Sequence, residues 1–257
     1  MTLPGTPQLL PAQPERRVWD FWPTIGFSAV ILATYFAAQV IVSFTIFAMR
    51  LRSSGLSFTD ALAKLATEGF TLSVAIMISV ALGSLLVFVF IRLKGRISVS
   101  DYLGFHRLQW RTILLLILLF AVMLAVTLVI GSYAGDQQDS EFNTELYRTS
   151  IFPPLLWLAV MFVGPFFEEV FFRGFLFVGL RASRVGVIAT IIVTSLLWAA
   201  LHVQYNLFGI TQILLMGLVL GTVRHKTDSL WSSLLIHVLW NGAAMVATAI
   251  YVTWGGA

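Results

Sequence analysis

The 257-residue chain predicts an all-α, polytopic membrane protein of about seven transmembrane helices, with a count between six and eight. Three observations carry that expectation. Hydrophobic residues make up 58% of the chain, charged residues only 11%, and mean hydropathy is +0.90, far from soluble composition. The apolar runs are apolar on all sides, unlike the one-faced helices of a soluble core, and each is long enough to cross a hydrocarbon layer of ~30 Å. Nothing alternates with period two over the ~10-residue segments that a membrane β-barrel requires.

The elements follow in order. Residues 1–21 are polar and proline-bearing, and the first apolar stretch lacks a small-residue cleavage site, so no removable signal peptide is expected. Apolar runs then cover residues 22–48, 70–91, 112–133, 151–180, 185–203, 207–223 and 230–254. This divides the chain into a polar N-terminal segment (1–21), three helices with their loops (22–150), a four-helix core (151–247) and a short tail (248–257). Residues 57–68 and 99–110 read as short helices lying along the two membrane surfaces. Pro153-Pro154 suits the first turn of the fourth helix, and Gly164-Pro165 predicts a kink or widening, because Pro165 cannot donate to the Met161 carbonyl. Gly217 and Gly221 form a small-residue face for close helix packing. No internal repeat or low-complexity segment is present.

Charge placement sets the expected topology. Arg16, Arg17, Arg92, Lys94, Arg96, Arg107, Arg111, Arg181, Arg184, Arg224 and Lys226 fall at one set of helix ends, which should be cytoplasmic. The N-terminus is therefore expected inside, in what reads as a bacterial cytoplasmic membrane. The same placement explains the net charge of +4 without nucleic acid, and the lipid bilayer is the partner it implies. With no cysteine, disulfides, thiolate nucleophiles and Cys-ligated zinc are excluded.

Chemistry concentrates in the last four spans. Glu168 and Glu169 lie inside an apolar stretch, where ionisable groups are costly and usually functional. On a helix Glu169 reaches Arg173 at i+4, whereas Glu168 points about 100° away. Glu169 is thus the expected partner of Arg173, and Glu168 the carboxylate free to act as general base. A Glu/Arg pair that simply locks two helices is the bland alternative. Trp198 and His202 share a face of the fifth helix, and His237 and Asn241 share one on the seventh. At 1.5 Å per residue these groups stand roughly 12–25 Å above the inner surface, compatible with one site. A carboxylate, two imidazoles and an amide converging in a dry bundle suit hydrolysis: a base, a proton shuttle and oxyanion donors.

Read together, Glu168-Glu169-x-x-x-Arg173, Trp198-x-x-x-His202 and His237-x-x-x-Asn241 resemble the CPBP family of intramembrane proteases. That family includes the type II CAAX prenyl endopeptidases and the lysostaphin-resistance-protein-A-like and bacteriocin-immunity proteins. The resemblance covers about residues 151–247. The second motif usually begins with Phe, and Trp198 keeps the aromatic character.

The resemblance implies an intramembrane endopeptidase acting on a membrane-associated protein or peptide, of which a prenylated CAAX-type chain is one case. Glu168 and His202 would activate water, His237 and Asn241 would stabilise the oxyanion, and Glu169, Arg173 and Trp198 would support them. Members are often described as metalloproteases, and Glu168, His202 and His237 are the zinc or other divalent-metal candidates here. No HExxH helix is present, and a metal-free glutamate mechanism is the favoured expectation. A non-catalytic scaffold or immunity protein is the alternative. A proton-coupled transporter is a further one, though no inverted repeat supports it.

Overall fold

The computed structural model describes residues 18–54, 59, 68–134 and 138–255. Most of the residues expected to form a surface helix at 57–68 lie outside these. All regular structure among the described residues is helical. We label the helices α1 (Phe21–Ser54), α2 (Gly69–Lys94), α3 (Val99–Leu103), α4 (Trp110–Ala134), α5 (Gln138–Thr149), α6 (Pro153–Ala182), α7 (Val187–Ala200), α8 (Leu207–Thr227) and α9 (Leu230–Ile250). The α9 rod continues as a π turn over Tyr251–Gly255.

Six of these helices, α1, α2, α4, α6, α8 and α9, are long and apolar enough to cross a membrane. The fifth expected span, residues 185–203, is shorter than expected. Only 14 residues of α7 are helical, about 21 Å of rise. Gly186, at φ 76°, takes a left-handed conformation that other residues resist and starts the helix late. At the other end the chain turns through residues 201–205, and the Asn206 side chain accepts from Gly209 N–H at 2.9 Å to cap α8. The loop carrying His202 therefore takes the place of the last turn expected for that helix.

The bundle is built around α6. Half of its most apolar window is buried against protein, against 6% for α4, so α4 mainly faces lipid and α6 is the central rod. Phe167, Phe171, Phe172, Phe175 and Phe177 on α6 are all buried. Tyr35 of α1 stacks on Phe167 with ring centroids 4.5 Å apart, and Trp19 Nε1 donates to Phe90 O at 2.9 Å, tying α1 to α6 and α2. The small-residue face of α8 packs as expected: a Cβ on Gly217 would stand 3.0 Å from Ser195 Cβ on α7, leaving no slack.

The expected Gly164-Pro165 irregularity is a widening. Pro153 and Pro154 open the helix, and Ala159–Val163 and Glu169–Leu176 are π-helical, with an α turn, Gly164–Glu168, between them. Such bulges recur at functional sites. The segment at 99–110 also departs from expectation. Only Val99–Leu103 is helical, and Tyr102 and Leu103 are buried beneath α6 rather than lying along a surface.

Candidate active site

Each half of the Glu168–Glu169 pair meets a different environment at the junction between the α turn and the second π segment. The Glu169 carboxylate is completely buried, and its Oε1 lies 3.3 Å from Arg173 Nη1 and 3.0 Å from His237 Nδ1. Arg173 is equally buried, with Nη2 donating to Gly217 O at 3.5 Å. A carboxylate and a guanidinium in this position are tolerable only as a pair with further polar partners. The i,i+4 pairing expected from spacing is present.

Glu168 keeps 24% of its side chain exposed. Its Oε2 accepts from Trp198 Nε1 at 2.5 Å and lies 3.8 Å from His237 Nε2. The imidazole of His237 thus stands between the two adjacent glutamates, one ring nitrogen toward each. A carboxylate can only accept, so Nδ1 carries the hydrogen given to Glu169, and Nε2 is the nitrogen presented to Glu168.

Trp198 is the hub. It is 2% exposed, and its indole meets the Arg173 guanidinium at 4.4 Å on the ring face, His202 edge-on at 5.0 Å and His237 edge-on at 5.2 Å. A buried indole needs an acceptor for its one N–H, and Glu168 supplies it. Cation on the face and carboxylate at the N–H both suit the ring's charge distribution.

His202 lies beyond the end of α7 rather than on its last turn. It nevertheless remains beside Trp198, because its Nδ1 reaches the Trp198 carbonyl at 2.8 Å, an oxygen that also accepts from Leu201 N–H at 3.2 Å at the helix end. A carbonyl only accepts, so Nδ1 donates and Nε2 is the nitrogen not used in that bond. Among the described contacts His202 and Glu168 share Trp198, which bonds the carboxylate and meets the imidazole edge-on. Tyr205 stacks on His202 at 6.3 Å and meets Phe142 of α5 at 6.0 Å, closing the loop against that helix.

Asn241 is brought to the same bundle interior, but its Nδ2 donates to the Val160 carbonyl at 2.9 Å. One amide hydrogen is thereby occupied within the protein. Among the described residues no group of three His, Cys, Asp or Glu side chains converges closely enough to hold a metal ion. Glu168, His202 and His237, as placed, do not form the ligand set that the zinc expectation requires.

Sequence reasoning missed Arg224, which it counted as a topology charge. It is 1% exposed, and it donates from Nε to Arg173 O at 3.1 Å, from Nη2 to Leu103 O at 3.2 Å and from Nη1 to Asp228 Oδ1 at 3.1 Å. It ties α3 and the α8–α9 turn to the π segment that carries Glu169. Its four-residue spacing to Asp228 was the one signal available.

No curated protein and no solved structure matches the chain. Residues 150–243, which contain every motif residue above, match the family model described as Type II CAAX prenyl endopeptidase Rce1-like. Over that stretch, which holds the glutamates, His202, His237 and Trp198, the chain is similar to the Rce1-like type II CAAX prenyl endopeptidase family, a family of proteases.

Proposed function

We propose that the chain is an intramembrane endopeptidase that hydrolyses a peptide bond of a membrane-associated substrate, with Glu168 as general base. The observation that carries this reading is the inequality of the two glutamates. Glu169 is sealed against Arg173 and His237, while Glu168 alone stays partly open with one oxygen fixed by Trp198.

In this reading a water beside Glu168 gives its proton to the carboxylate as its oxygen attacks the peptide carbonyl. The carbonyl π pair moves to oxygen, and His237 and His202 are the imidazoles flanking the charge that develops. His237 Nε2, held by the Nδ1 contact to Glu169, is close enough to Glu168 to help pass the proton to the departing amine as the C–N bond breaks. Glu169 and Arg173 hold His237, and Trp198 holds Glu168.

The family description makes a prenylated CAAX-type peptide the first substrate to try. Purified, folded Glu168→Gln should lose cleavage by at least the ~10²–10⁴-fold that a positioned base contributes, and His202→Ala should fall with it. Wild-type rates in Glu168→Gln would sink the assignment. Capture of uncleaved partners by that variant, identified by mass spectrometry, would name the natural substrate.

A further inference from the structure

Proline has no N–H, so one placed beyond the first turn of a helix leaves a carbonyl without its ladder donor. Which carbonyl depends on the register. In a regular α-helix Pro165 would orphan Met161, but α6 is widened here, and Gly164 N–H donates to Ala159 O five residues back. The next bond of that ladder would run from residue 165 to Val160. Pro165 cannot make it, and an unpartnered carbonyl in a water-poor bundle is strongly disfavoured.

Asn241 fills that place. Its Nδ2 reaches Val160 O at 2.9 Å from a helix 81 residues further along the chain. The acceptor is a carbonyl, so the amide nitrogen must be the atom that faces it. The same turn is seated beside Asn241 by packing. A Cβ on Gly242 would stand 2.7 Å from the Met161 methyl, so the glycine lets that methyl lie directly against α9.

We propose that Asn241 is a positioning residue: it replaces the missing Pro165 N–H, holds the π turn Ala159–Val163 against α9, and so sets the aim of Glu168. This rests on Glu168 being the base. It assigns Asn241 to the helix rather than to the oxyanion.

The two roles separate in a double-substitution cycle on the full-length protein. Asn241→Ala should lower kcat by about 10–100-fold on a farnesylated CAAX-type peptide, the loss expected when a buried acceptor goes unpaired, with KM nearly unchanged. Amide hydrogen exchange across residues 159–168 should quicken by a similar factor. Pro165→Ala restores an N–H at residue 165, which can reach Val160 O itself. The double variant Pro165→Ala/Asn241→Ala should therefore recover both slow exchange and most of the lost kcat. A double variant as impaired as Asn241→Ala in both measurements overturns the proposal, because an oxyanion donor cannot be replaced by a backbone N–H on another helix. If Glu168→Gln still cleaves, the catalytic reading falls instead, and the exchange measurement alone decides whether Asn241 holds the turn.

Discussion

Trp198 Nε1 donates to Glu168 Oε2 across 2.5 Å, joining a tryptophan on the short apolar helix α7 to a carboxylate on the central one. The ring that makes this bond also meets both His202 and His237 edge-on, with centroids 5.0 and 5.2 Å away. The indole therefore has two separable duties, aiming the carboxylate and giving two imidazoles an aromatic wall to pack against.

Substitution can divide those duties. Trp198→Phe keeps an aromatic wall and loses the single N–H donor, and the related motif usually has Phe at this place. A hydrogen bond to a charged group contributes about 1.5–3 kcal/mol, and water admitted beside a partly exposed Glu168 replaces part of it. Cleavage by Trp198→Phe should therefore stay within about tenfold of wild type. Trp198→Ala removes the wall and should cost about 3–5 kcal/mol of stability together with cleavage. Steady-state kinetics alongside thermal unfolding in detergent distinguish the two, and equal damage by both variants would contradict the division.

Glu168 and Glu169 should differ as sharply under identical substitution. Glu169→Gln leaves the fully buried Arg173 guanidinium without its carboxylate and His237 without its anionic partner. Removing one member of a buried ion pair costs about 3–5 kcal/mol, so this variant should unfold at a clearly lower temperature. Glu168→Gln keeps an acceptor for Trp198 in a partly open position and should unfold near wild type while failing to cleave. Matching melting temperatures for the two variants would show that the carboxylates are not divided as described.

How much of this was legible before the structure follows from the range of each interaction. Spans were readable because the bilayer fixes helix length, and the Glu169–Arg173 pair was readable because i,i+4 neighbours meet on any helix. His237 between the glutamates was not, since that contact spans 68 residues and depends on how α9 packs against α6. The fifth span misled by composition. Residues 201–203 are apolar enough to extend it, but a turn fixed by Asn206 ends the helix first. Pro165 announced an irregularity, yet only the observed register shows that Val160, rather than Met161, is the carbonyl Asn241 meets. Arg224 looked like a surface charge because composition cannot say that three acceptors surround it at the base of the bundle.

That base carries a dependence on pH. Asp228, between α8 and α9, holds φ at 48°, a left-handed conformation that aspartate tolerates better than most residues. Partial burial pushes its carboxyl up, but the hydrogen bond and charge of Arg224, with the charge of Arg181 at 3.3 Å, outweigh that and hold it below its ordinary value of 3.8. A carboxyl depressed by folding stabilises the folded state above its unfolded pKa, and that contribution is lost as pH falls through the lower folded value. Asp228 backbone O also meets His106 Nδ1 at 3.0 Å, and Leu230 N donates to Gly104 O at 2.8 Å, so the α3 segment depends on this turn. Because the Asp228 side chain is 58% exposed, the effect should be local rather than global. Wild-type protein taken from pH 6 to below pH 3.5 should show faster amide exchange at residues 99–106 before the bundle melts. Asp228→Asn should show the faster exchange already at pH 6 and little further change on acidification. An acid response of the same size in wild type and Asp228→Asn would place the sensitive group elsewhere.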